Sequence, residues 1–207
     1  FDAHERAAAS RDHFQSVVHL TTEIILRYDE SNRCVFANNR AVEFYGVPLA
    51  ELLGSEPESF MNPEDFDTPR EAIAEMKRTA DPVWGLVTQE CTPAGWRIVE
   101  WNSAPIVNRA GAYAGFQATG RDITERELAE RDLQIMGIAL ESAADGVVVA
   151  DFDGVITYTN AATRTMWGYD DPEAVIGRPI DDFVADPVEV RRMFHETIER
   201  GRTHGEF

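Results

Sequence analysis

Val35-Phe36-Ala37-Asn38-Asn39-Arg40-Ala41-Val42-Glu43-Phe44-Tyr45-Gly46 and Ile156-Thr157-Tyr158-Thr159-Asn160-Ala161-Ala162-Thr163-Arg164-Thr165-Met166-Trp167-Gly168 decide the architecture, because they are one pattern occurring twice. Phe36, Asn38, Phe44, Tyr45 and Gly46 fall on Tyr158, Asn160, Met166, Trp167 and Gly168, all 122 residues apart. Further on, Gly54 and Phe60 fall on Gly177 and Phe183, 123 apart. A period of that length is a domain duplication, not a solenoid.

Outward from this pattern, each copy opens with a β-rich run, Ile24 to Tyr28 and Val147 to Ala150. Each run ends in a turn of residues that tolerate tight dihedrals, Asp29-Glu30-Ser31-Asn32 and Asp151-Phe152-Asp153-Gly154. A second strand follows, through Val35 to Ala37 or Val155 to Tyr158. After Asn38 and Asn160 the period becomes helical, with short segments ending at Gly46, Gly54, Gly168 and Gly177. A longer amphipathic helix comes next, from Pro63 to Ala80 in copy one and from Pro187 to Arg200 in copy two. Copy one continues with strands near 83–92, 96–107 and 113–121, separated by the turns Thr92-Pro93-Ala94-Gly95 and Asn108-Arg109-Ala110-Gly111. Copy two reaches Phe207 where its third strand would start.

Two helices flank the first copy. Ala7, Arg11, Phe14 and Val18 share a stripe before it. After it, Thr124 and Glu127 have capping-box spacing, and Ala129, Leu133, Met136 and Leu140 form a seam. The seam fits either packing on its own domain or dimerisation. The expected division is a helix over 1–21, a complete domain over 22–124, a linker helix over 125–142 and a domain over 143–207 that lacks three strands.

The net charge is −18, and Lys77 is the one lysine among 19 Lys and Arg residues. So carboxylated a surface points to a high-salt cytoplasm and repels phosphate backbones, so nucleic-acid binding is not expected. No stretch approaches the length of a membrane span, and the start at Phe1 without Met reads as a piece of a longer protein. Direct membrane contact is not expected. Cys34 and Cys91 are expected as buried free thiols.

Gly120-Arg121-Asp122-Ile123-Thr124-Glu125-Arg126 closes the first copy. With Asn38 to Gly46, Leu52-Leu53-Gly54, Asn102-Ser103-Ala104-Pro105 and, in copy two, Val175-Ile176-Gly177-Arg178-Pro179, it resembles the PAS family. The resemblance covers nearly the whole chain. It implies an α+β fold: a five-stranded antiparallel sheet in the order 2-1-5-4-3, with short helices on one face enclosing a ligand pocket.

Three cofactor types of that family are testable by residue. The covalent flavin type needs Asn-Cys-Arg after the Leu-Gly turn, whereas Ser55-Glu56-Pro57 and Arg178-Pro179-Ile180 stand there, which excludes it. The haem histidine would fall near Pro69 or Val190. His195 comes too late on its helix, so haem is not expected. Noncovalent FAD has no short motif to test, and a noncovalent small ligand stays open.

His4, His13, His19, His195 and His204 lack two-ligand spacing, and neither nucleophile nor phosphate-loop strings occur, so no metal and no catalysis are expected. Strand alternation puts Val99, Trp101 and Ser103 on one face and Ile98, Glu100 and Asn102 on the other. By carry-over from the family, Ser103, Trp101, Phe116, Ala118 and Gly120 look inward, as do Leu26, Tyr28, Leu86 and Glu90. The candidate pocket is therefore Leu26, Tyr28, Leu86, Glu90, Val99, Trp101, Ser103, Phe116 and Ala118. Glu90, if inward, is its polar recognition group; a twist or bulge would instead turn it to solvent. The family's exit makes Asp122, Thr124 and Arg126 a candidate relay from sheet to linker helix.

The resemblance implies a sensory and dimerisation module that perceives a small molecule, redox state or partner and relays it through the linker helix, and the composition and cysteine usage put it in the cytoplasm. Its expected host is a halophilic archaeal histidine kinase, transducer-like receptor or bacterio-opsin-activator-like regulator. A downstream effector domain in the same chain and a homodimer through the flanking helices are the expected partners. A ligand-free scaffold for assembly is the alternative.

Overall fold

The computed structural model describes Val18 and residues 21–200. Of the expected helix over 1–21 only Val18, which is helical, and Thr21, which is not, are among the described residues. Two compact units divide between Ala129 and Glu130.

The first unit begins with the hairpin β1 (Ile24–Asp29) and β2 (Cys34–Ala37). Asp29 makes the turn, its Oδ1 accepting from the backbone N–H groups of Ser31 and Arg33 while Asn32 takes the left-handed conformation at φ 61°. Asn38 then caps α1 (Asn39–Tyr45), and Gly46 ends it at φ 64°, a conformation that costs glycine nothing. After α2 (Leu49–Leu52) come two 3₁₀ turns, Pro57–Phe60 and Pro63–Asp65, and then α3 (Asp67–Thr79).

This corrects the expectation of one helix starting at Pro63. Asn62 closes the turn by accepting from the Glu64 N–H, and Asp65 accepts from the Gln89 N–H, so the first residues are tied to the neighbouring strand. The helix starts only beyond them.

Three long strands complete the unit: β3 (Val83–Thr92), β4 (Gly95–Val107) and β5 (Tyr113–Asp122). The sheet order is β2-β1-β5-β4-β3, all antiparallel. Its inner face carries Ile24, Leu26, Tyr28, Val99, Trp101, Phe116 and Ala118, packed against Ala41, Phe44, Tyr45, Leu52, Ile73 and Met76 of the helices. Burial of that apolar area is the main driving force for this layer arrangement.

Both cysteines are free, on edge strands β2 and β3. Cys34 is buried, and burial pushes its thiol pKa up. Cys91 is exposed, contrary to expectation, because it shares the outer face of β3 with Val87 and Gln89.

Helix α4 (Thr124–Glu141) leaves the sheet and contains the division between the units. The second unit repeats the hairpin with β6 (Val148–Ala150) and β7 (Ile156–Thr159), then α5 (Ala161–Trp167), 3₁₀ turns at Pro172–Ala174 and Ile180–Phe183, and α6 (Pro187–Arg200). Its hydrogen bonds copy those of the first. Asp151 Oδ1 accepts from Asp153 and Val155 as Asp29 does from Ser31 and Arg33. Gly177 N–H donates to Ile156 O as Gly54 N–H does to Cys34 O, both at 2.8 Å. His195 stands on α6.

Candidate functional site

A cavity of about 40 Å³ lies between the inner sheet face and the helices of the first unit. Eight residues expected from sequence line it: Leu26, Tyr28, Leu86, Glu90, Trp101, Ser103, Phe116 and Ala118. Val99 does not. It shares their face but is fully buried within the packed core and is not among the cavity's lining residues. Tyr45, Pro57, Met61, Pro69 and Ile73 complete the lining from the helical side.

Alternation along β3 turns Leu86, Thr88 and Glu90 inward, and Glu90 is 1% exposed. A buried carboxylate needs partners. Thr88 Oγ1 donates to Glu90 Oε1 at 2.7 Å, the Trp101 indole N–H reaches the same oxygen at 3.3 Å, and the Tyr45 hydroxyl donates to Oε2 at 3.4 Å. Burial outweighs these donors, which favour the anion, and raises the Glu90 pKa to about 7. Burial also raises Tyr28 and Tyr45 well above the usual phenol range, with Glu90 adding to both.

The aromatic walls are ordered by packing. Tyr28 and Phe116 stack at 4.7 Å between centroids, and Tyr45 meets Phe60 at 4.7 Å. The Trp101 ring lies against Gly120, where a Cβ would come within 2.5 Å of it. Glycine is required there for close approach, not for its dihedrals.

The exit from the sheet is a compact joint. Asp122 Oδ1 accepts from the Thr124 N–H at 3.0 Å and from Thr124 Oγ1 at 2.6 Å. Thr124 Oγ1 in turn accepts from Ile98 N–H of β4 at 2.8 Å, and Ile123 N–H donates to Ile98 O at 2.9 Å. Thr124 is thus the first helical residue, buried and bonded to the sheet, rather than the N-cap of a box with Glu127. The Glu127 N–H donates to Ile123 O, and Arg126 approaches the Glu127 carboxylate at 3.4 Å.

Among the described residues no three His, Cys, Asp or Glu side chains gather as a metal site requires, and no helix is long and apolar enough to cross a membrane.

A family profile described as PAS fold matches residues 6–128, and a second, also described as PAS fold, matches residues 138–207. No curated protein matches the chain. Among solved structures, the PAS domain of a Colwellia psychrerythraea protein is 15% identical with a TM-score of 0.51, over 56% of this chain and 98% of that one. An RNA-binding light-oxygen-voltage receptor is 24% identical with a TM-score of 0.52, over 64% of this chain and 38% of that one. At these identities the likeness is one of fold.

Proposed function

The chain belongs to the PAS family, whose domains are generally sensory and signalling modules and typically non-catalytic, and on that premise we propose that its first domain senses a small ligand. The observation that carries this reading is Glu90, a buried carboxyl group and the single one that lines the cavity. A group so costly to bury is retained where it recognises something. Noncovalent binding is the mode, since Ser55-Glu56-Pro57 offers no thiol to a flavin.

The change on binding passes from β3 and β4 through Ile98, Thr124 and Asp122 to helix α4, with Arg126 on its first turn. Bonds of roughly 0.5–2 kcal/mol each bias such a joint without locking it. Leu133, Met136 and Leu140 on α4, 69%, 61% and 43% exposed, supply an apolar face for a second copy of the chain. The host is a cytoplasmic signalling protein of a halophilic archaeon, such as a histidine kinase, with its effector domain following in the same chain.

One observation favours the second reading, a ligand-free assembly scaffold: about 40 Å³ is only roughly a quarter of the ~150 Å³ of a cavity that takes up benzene. Native mass spectrometry of the chain purified from a high-salt host separates the two. A dimer retaining a small molecule is expected. A dimer without one favours the scaffold, and a ligand-free monomer defeats both.

A further inference from the structure

Among the residues lining the cavity, Glu90 is the one carboxylate and none is Arg, Lys or His. The groups facing it from the packed elements are Tyr28 of β1, Tyr45 of α1, Asp65 of the 3₁₀ turn, and Thr88 and Trp101 of the sheet. Arg97 stands opposite Glu90 in the β3–β4 register, half-buried, and forms no ion pair with it among the described residues. The carboxyl group is therefore buried beside neutral donors and a second acid, with no cation paired to it among the described residues.

Its two oxygens are not equally served. Oε1 accepts from both Thr88 and Trp101, while Oε2 has one long contact, 3.4 Å from the Tyr45 hydroxyl. A carboxylate oxygen has room for two donors, so Oε2 keeps acceptor capacity. Aromatic side chains surround the same space, and ring faces attract cations, the more so when both are out of water. The chain's net charge of −18 concentrates cations around it and repels anions.

We propose that this cavity takes the head group of a small organic cation, a primary amine or ammonium compound, with the Glu90 carboxylate as its counter-ion and Tyr28, Tyr45, Trp101 and Phe116 as its walls. The proposal rests on the reading of this domain as a ligand sensor. An ammonium N–H donates to Oε2 and replaces the weak Tyr45 contact. The volume admits one such head group and no ring system.

The test uses the whole chain and three probes of similar size, methylammonium, methanol and formate, followed through the Trp101 indole N–H resonance. That proton is shared between Thr88 Oγ1 and Glu90 Oε1, so it reports events at the carboxylate. The proposal expects saturable shifts with methylammonium alone, and binding at least about tenfold weaker in Glu90→Gln. It also expects binding about tenfold tighter at pH 8 than at pH 6, because Glu90 ionises near pH 7 while an amine of pKa about 10.4 stays charged. The pH series on the unaltered protein stands even if Glu90→Gln misfolds.

If methanol or formate shifts the resonance as strongly, or the methylammonium effect ignores pH, the cationic class is overturned while ligand sensing survives. No response to any of the three probes overturns the proposal. If larger neutral compounds also fail to displace the resonance, the sensing reading falls with it.

Discussion

The Trp101 indole N–H on β4 is shared between Glu90 Oε1 at 3.3 Å and Thr88 Oγ1 at 3.0 Å, so the cavity's acid is held by its own strand and by the next. These contacts favour the anion, yet burial at Glu90 still wins and places its pKa near 7.

That balance ties stability to pH. The folded chain holds the Glu90 proton more tightly than the unfolded chain, whose carboxyl titrates near 4.5. Stability contributed by this group is full below about pH 4.5, falls as pH rises through about 7, and stays reduced above it. The full difference is about 3 kcal/mol. Glu90→Gln removes the dependence, so the gap between variant and parent should shift in the variant's favour between pH 5 and pH 8. Urea unfolding across that range measures it, and a gap constant with pH would show that Glu90 does not titrate as described.

Thr88 opposes the upward shift that burial imposes on Glu90. Its hydroxyl donates to Glu90 and accepts from Trp101. Thr88→Val keeps the shape and removes both bonds, costing about 1–3 kcal/mol for the partners left unpaired. It should also move the Glu90 midpoint upward, read from the pH dependence of the carboxyl carbon resonance. A midpoint at or below that of the parent would mean the hydroxyl does not favour the anion.

Gly120 holds the ring in place by having no side chain. A methyl group there would meet three ring atoms of Trp101 at 2.5–2.8 Å, and the ring is anchored at its far edge through the indole N–H. Gly120→Ala should therefore displace the indole, cost about 1–3 kcal/mol as overpacking does, and shift the Trp101 N–H resonance. An unchanged resonance would mean the ring has room to move.

Much of this site was legible because strands alternate with a fixed period. That Leu86 and Glu90 share one face of β3, and Trp101 and Ser103 one face of β4, follows from parity once the strands are placed, while the family resemblance said that this face looks inward. The same parity includes Thr88, between Leu86 and Glu90, which sequence reasoning passed over. Val99 shows the limit in the other direction: parity says which face a residue is on, not whether space adjoins it. Tyr45, Met61, Pro69 and Ile73 were out of reach because they enter from α1, the 3₁₀ segment and α3, whose seating on the sheet depends on contacts far apart in sequence. Cys91 was misjudged by residue type, where its register on the edge strand β3 decides exposure.

Asp122 ends the sheet and begins the helix. Its Oδ1 accepts from both the N–H and the hydroxyl of Thr124, and that hydroxyl also accepts from Ile98 N–H, so three segments meet at one buried threonine. Asp122→Ala leaves the strand pairing of Val99 with position 122 intact, since that uses backbone alone. It takes away the acceptor at the positive end of α4 and the bond that orients the Thr124 hydroxyl, a loss of about 0.5–2 kcal/mol. The domain should stay folded while the first turn of α4 opens more often. Hydrogen exchange should therefore quicken at the amides of residues 124–127 and stay unchanged at Leu26, Val99 and Phe116. In a chain joined to its effector, the same substitution should alter the ligand-dependent output. Faster exchange with an unaltered output would leave Asp122 as a cap and place the relay elsewhere.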